Sequence, residues 1–124
     1  MPGISRETAA HHEDHGPVLD IHDDIDGYAI NFVSFRADID GAPLLKGLPG
    51  DHCSCPHWGY VTKGEITFRF ADHDETYTEG DAFYVPAGHT PAALAGSEYV
   101  QFSPADELRR TSEAMVRNMQ AIQA

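Results

Sequence analysis

Tyr60-Val61-Thr62-Lys63-Gly64-Glu65-Ile66-Thr67-Phe68-Arg69-Phe70 is the stretch on which the fold turns. From Glu65 to Phe70 polar and apolar residues alternate, the period-2 pattern of a half-buried strand, so Ile66, Phe68 and Phe70 share a face. Lys63-Gly64 ahead of it supplies the positive φ that a tight turn needs, and the run from His52 to Thr62 on the other side is compatible with an extended arm. The stretch therefore predicts a β-hairpin.

Working outward, Tyr28-Ala29-Ile30-Asn31-Phe32-Val33-Ser34-Phe35 is rich in aromatic and β-branched residues between turn formers and predicts a strand. A second short strand is expected over Pro43 to Lys46. Beyond the hairpin come Asp72-His73-Asp74 as a turn, Glu75 to Thr78 as a strand and Glu79-Gly80-Asp81 as another turn. Ala82-Phe83-Tyr84-Val85 with its Pro86-Ala87-Gly88 stop follows, and Glu98-Tyr99-Val100-Gln101-Phe102 is the last strand. Many short strands punctuated by 11 glycines and 8 prolines argue for an all-β barrel or sandwich. The period then changes. Ser103-Pro104-Ala105-Asp106 reads as a helix start, with Ser as N-cap and Pro at the first helical position. A C-terminal helix to about Gln120 carries an apolar stripe of Leu108, Met115, Met119 and Ile122, which packs on its own barrel or on the second chain of a homodimer. The residue ranges are then 1–17 for a flexible N-terminal arm, 18–103 for the barrel and 104–124 for a helix of the same domain.

Composition narrows the partners. Lys and Arg number 8 against 20 Asp and Glu, a formal charge of −12. Such a field repels phosphate backbones and anionic lipid, which argues against nucleic-acid and membrane binding. No apolar run approaches the ~20 residues of a bilayer span, so the expectation is a cytoplasmic protein. The two cysteines, Cys53 and Cys55, are too few for a disulfide framework. Alternate strand residues sit ~6.5 Å apart at Cα, near the upper limit for a disulfide, so free thiols or thiolate ligands are expected.

Chemistry concentrates in Asp51-His52-Cys53-Ser54-Cys55-Pro56-His57. Laid out as a strand, alternation sends Cys53, Cys55 and His57 to one face. Two thiolates and an imidazole make three quarters of a tetrahedral site for a borderline-soft metal, and His89, after a strand end and among small residues, is the expected fourth ligand. The competing readings are inert burial and a redox-active thiol pair. Pro56 marks an edge or a bulge, and a bulge would bring His52 or Asp51 in place of a cysteine. The tract His11-His12-Glu13-Asp14-His15 is read as solvated arm, and His22 and His73 as surface residues.

Gly80-Asp81-Ala82-Phe83-Tyr84-Val85-Pro86-Ala87-Gly88 resembles the second motif of the cupin family, G-x5-P-x-G, and Tyr60-Val61-Thr62-Lys63-Gly64-Glu65 resembles the end of the first. The resemblance, to small single-domain bacterial cupins of the RmlC-like kind, covers roughly residues 18–103. It implies a double-stranded β-helix, a jelly-roll barrel with a metal or ligand pocket in its mouth. The ligand positions depart from the family pattern. The family's two His and one Glu of the first motif fall on Asp51, Cys53 and His57, and the His of the second falls on Pro91, two residues beyond His89. The location survives, but sulfur donors shift the preference from manganese toward zinc, with iron or copper as alternatives.

Three functions fit these residues. One is a metal-binding cupin that takes a small molecule beside its metal, with Trp58, Tyr60, Phe68, Phe83 and Tyr84 as pocket residues. The second is a metalloenzyme with an open coordination position, acting on a small organic molecule as an oxygenase, isomerase or lyase. The third is a thiol redox or metal-buffering protein. Cupin barrels host enzymes and binders alike, so fold does not choose between them.

Overall fold

A computed structural model describes residues 3–123. Ten strands run in the order β1 (His11–Asp14), β2 (Val18–Ile25), β3 (Tyr28–Phe35), β4 (Ile39–Asp40), β5 (His57–Lys63), β6 (Glu65–Arg69), β7 (Asp74–Thr78), β8 (Ala82–Val85), β9 (Thr90–Ala93) and β10 (Glu98–Pro104), followed by helix α1 (Ala105–Gln123). They form two antiparallel sheets, ordered β1-β2-β3-β10-β5-β8 and β4-β9-β6-β7. The fold is all-β with one C-terminal helix.

The expected hairpin does not form: β5 pairs with β10 and β8 and β6 with β7 and β9, so Lys63-Gly64 is a corner at which the chain passes from one sheet to the other. Ile66 and Phe68 are almost fully buried and Phe70 packs against the same cluster from just beyond the strand end. Facing them are Val33, Phe35, Val61, Phe83, Val85, Ala93 and Tyr99, the inner faces of both sheets meeting as one core. Two glycines permit this closeness. Gly64 turns the corner between the sheets at φ +69 with Ser97 packed against it, and a side chain at Gly59 would overlap the Phe83 ring and come within 2.7 Å of the Val100 carbonyl oxygen.

Three strands that the sequence reading did not name, β2, β4 and β9, complete the sheets, and the structure departs from that reading at four further places. Pro43 to Lys46 is no strand: Ala42–Leu45 is a 3₁₀ turn that buries Leu44 and Leu45, as suits a proline that fixes φ and donates no ladder bond. The extended arm begins at His57 instead of His52, because Pro49–Asp51 is another tight turn and Pro56 stops a continuous ladder. His11–Asp14, read as flexible arm, pairs with β2 in the register His11↔His22 through Asp14↔Leu19. A main-chain ladder needs no apolar period, and Glu13 adds side-chain bonds to His22 and His15. Ser103 belongs to the end of β10, where it pairs with Ala29, and α1 starts after Pro104.

α1 lies on its own barrel. Leu108, Thr111 and Ala114 are buried, and Asn118 Nδ2 donates to the carbonyls of Leu44 and Lys46, tying the helix to the turn before the first cupin-like motif. Ile122, the last residue of the expected stripe, is exposed. Gly59→Ala is expected to destabilise the protein by about 2 kcal/mol, the scale of forcing one methyl into a packed core. Urea unfolding measures this, and unchanged stability would contradict the packing at this crossing.

Candidate metal centre

Three side chains converge where β5 begins and β8 ends. Cys53, His57 and His89 each present a donor atom within 4.8 Å of the others, and all three are buried. Cys53 is held by an isolated antiparallel bridge: its N–H donates to the His89 carbonyl and its own carbonyl accepts from the Gly88 N–H, both at 2.8 Å. The bridge fixes Cys53 beside His89 across the gap between the two motifs. His57 stands opposite on the first residue of β5, paired with Val85 of β8.

Second partners aim both rings. His89 Nδ1 lies 2.7 Å from the Pro86 carbonyl oxygen, which only accepts, so Nδ1 carries the proton and Nε2 presents its lone pair. His57 Nδ1 lies 2.7 Å from Ser103 Oγ on β10, and with that nitrogen donating, its Nε2 faces Cys53 Sγ at 3.6 Å. Bonds of ~2.3 Å to sulfur and ~2.0 Å to nitrogen at a tetrahedral angle put those two atoms ~3.5 Å apart, so the pair fits a tetrahedral ion. The rings of His57 and His89 are 5.0 Å apart, and the edge of Phe68 closes the site behind His89.

Burial sets the protonation states. It pushes the His57 pKa down to about 3, with the neighbouring His89 adding to the effect, and lowers that of His89 as well. Both imidazoles are thus neutral and free to ligate at ordinary pH. The Cys53 thiol is pushed up, chiefly by burial, while the Cys55 N–H at 3.4 Å and the Thr111 hydroxyl at 3.6 Å offer donors to its sulfur. A metal taking Cys53 would displace its proton.

The remaining expected site residues lie elsewhere. Cys55 is not in the group: its Sγ is 3.4 Å from the Pro56 carbonyl oxygen, and it packs with Ala29, Leu45 and Leu108. The cause is the chain path, since 53 to 56 is not a continuous strand and the i, i+2 alternation does not apply there. Asp51 does not replace it, being exposed with Oδ1 accepting from Gly47 N. His52 also stands outside the group, half-buried with its ring against Gly50.

The expected pocket residues divide differently. Trp58, Tyr60 and Tyr84 point outward and are exposed, because His57, Gly59 and Val61 take the inward parity of β5. Phe68 and Phe83 fill the core. A cavity of about 700 Å³ instead opens under α1, against the inner faces of β2, β3 and β10. Ser103 and Thr111 escaped the sequence reading, Ser103 because it resembles a helix cap. Asn31 was legible, since it shares the inward parity of Ala29, Val33 and Phe35.

No protein-family model and no curated protein sequence matches the chain. Solved structures do resemble it. An RmlC-like cupin from Shewanella frigidimarina aligns over 76% of this chain and 83% of its own, with TM-score 0.54 and 19% identity. KdgF from Halomonas sp. aligns over 82% and 90%, with TM-score 0.56 and 21% identity. The EutQ protein of Clostridium difficile aligns over 72% of this chain with TM-score 0.53 and 11% identity, and the match spans 64% of that protein, less than two thirds. At these identities the likeness speaks for the fold, which is the cupin jelly roll. Among the described residues no helix is long and apolar enough to cross a membrane.

Both thiols are buried, and burial pushes the Cys55 pKa up to about 12. In metal-free folded protein they are expected to react with a thiol reagent only as fast as the chain opens, and at once in denaturant. Immediate reaction of either thiol in the native state would favour the redox reading.

Proposed function

We propose that this cupin-fold domain is a zinc-binding protein that takes a small molecule inside its barrel, with Cys53, His57 and His89 as the three protein ligands. The observation that carries the reading is the pair of anchored imidazoles, each held through Nδ1 so that Nε2 is free beside one buried sulfur. One thiolate and two imidazoles suit zinc better than the oxygen-seeking magnesium or manganese. Bound zinc supplies Lewis acidity at any coordination position that protein does not fill.

The role of each residue follows from its surroundings. Cys53 contributes the negative charge that lowers the net charge of the centre, and its position depends on the backbone bridge to His89. Ser103 orients His57 and Pro86 orients His89, the supports that hold ligating rings in place. Thr111 brings α1 into contact with the sulfur, so helix and centre are joined. That Cys55 stands apart favours a second reading, a metalloenzyme, because three protein ligands leave tetrahedral zinc one position for water or substrate. In cobalt-substituted protein, azide would change the visible spectrum if that position is open and leave it unaltered if it is closed.

Metal analysis by plasma mass spectrometry tests the main reading. Wild type is expected to hold one equivalent of zinc, Cys53→Ala and His89→Ala to lose it, and Cys55→Ala to keep it. Ser103→Ala is expected to weaken zinc binding roughly 10- to 100-fold with the fold intact. Metal-free wild type after refolding with zinc, or loss of zinc in Cys55→Ala alone, would overturn the assignment.

A further inference from the structure

The cavity under α1 is distinct from the Cys53/His57/His89 group, none of whose members lines it. At about 700 Å³ it has the size of a small-molecule site. Its two sides differ in chemistry. Leu108, Met115, Val116 and Met119 of α1 give it an apolar wall edged by the polar side chains of the same helix, while the sheet side carries Asp20, Asn31, Tyr99 and Gln101. The ladder puts these four together: Asn31 of β3 pairs with Gln101 of β10, and Val33 of β3 lies between Asp20 of β2 and Tyr99 of β10.

Within this strip the hydrogen bonding is incomplete in one direction. Asn31 Nδ2 donates to both oxygens of Asp20, at 3.0 and 3.3 Å, which fixes the amide with Oδ1 turned away. That Oδ1 has no partner, although Asn31 is only 4% exposed. A buried acceptor left unsatisfied is costly, and a donor entering the cavity would relieve it. Asp20 adds a charge to the need. Burial raises its carboxyl pKa, and the Asn31 amide is the chief group offsetting that. The other acids and bases around the cavity are Glu13, Asp24 and Glu113 against Arg109, Arg117 and the histidines His11, His15 and His22, with Arg109 paired to Asp106 at 3.2 Å and Glu13 bonded to His15 and His22. The whole chain, at −12, attracts cations.

We propose that this cavity binds a small organic amine, its ammonium at the Asp20–Asn31 pair and its apolar body against α1. An ammonium brings three donors and a positive charge, matching an unpaired acceptor beside a half-buried carboxylate. An alcohol of the same length satisfies the acceptor but not the charge. A carboxylate meets a like charge and an acceptor, and is excluded. The inference rests on the small-molecule part of the function proposed above and is independent of the metal.

The test uses the full chain, ¹⁵N-labelled, titrated at one pH with n-hexylamine, hexan-1-ol and hexanoate while the side-chain NH₂ signals of Asn31 and Gln101 are followed. The titrations are run on wild type as purified, on chelator-treated wild type and on His89→Ala, with metal content measured on each sample. Hexylamine is expected to shift both signals saturably in all three, roughly tenfold more tightly than hexanol, the usual gain of a charged over a neutral hydrogen bond. Hexanoate is expected to leave them in place. Asp20→Asn, which keeps an acceptor for Asn31 Nδ2 and removes the charge, is expected to melt no lower than wild type and to lose the tenfold advantage of the amine. Equal binding of the alcohol or the acid, or no binding of any of the three, would overturn the inference. Shifts seen only in metal-loaded wild type would overturn it too, by moving the amine to the metal and leaving the zinc reading in place.

Discussion

The two backbone hydrogen bonds between Cys53 and the Gly88-His89 pair are the constraint on which the site depends. They join the segment before β5 to the segment after β8, both outside regular sheet. Neither segment has a ladder of its own to hold a side chain in position. Once bridged, Cys53 and His89 become neighbours, and His57, one step inside β5, faces both. Ser103 on β10 and Thr111 on α1 then reach the same spot from the other side. Five segments of the chain thus agree on one small volume, and its burial keeps both imidazoles neutral and the thiol protonated when no metal is bound.

How far this was legible in the sequence depended on whether a local period governed the residue. Glu65 to Arg69 lies within a regular ladder, so its alternation translates directly into burial. The spacing from Gly80 to Gly88 likewise located β8 and the turn that carries His89. The Cys53-Cys55-His57 reading assumed one continuous strand, and Pro56, which offers no N–H, breaks that assumption. His57 keeps its place because it is the first residue of the ladder. Cys53 keeps its place through a bridge to a residue 36 positions away, a contact no local period encodes. Cys55, with neither support, stays out of the ligand group and packs in the apolar cluster of Ala29, Leu45 and Leu108, which Cys53 also joins.

Other differences have similar causes. The parity that makes His57 face inward also makes Trp58 and Tyr60 face outward, so those aromatics were readable as surface from the same alternation that selected the cluster. β1 was not readable, because its stability comes from main-chain pairing and from Glu13 bridging to histidines, and its residues look like solvated arm. Ser103 and Pro104 carry the signature of a helix start while serving as the end of β10. There the serine hydroxyl orients a ring instead of capping the helix.

α1 links the two functional elements. One part of it reaches the sulfur of Cys53 through Thr111, another roofs the cavity over Asp20 and Asn31, and Asn118 ties it to the turn at Leu44 to Lys46. A barrel without this helix would leave both the centre and the cavity open to water. The polar strip on β2, β3 and β10 and His57 on β5 belong to the same six-stranded sheet, in which β10 runs between β3 and β5.

The most direct test of the central assignment is X-ray absorption at the zinc edge of the zinc-loaded protein, which counts sulfur and imidazole neighbours of the ion. One sulfur at ~2.3 Å with two imidazole nitrogens at ~2.0 Å is the expected first shell. Two sulfurs would bring Cys55 back into the centre and contradict the account, and a shell of nitrogen and oxygen alone would remove Cys53 from it.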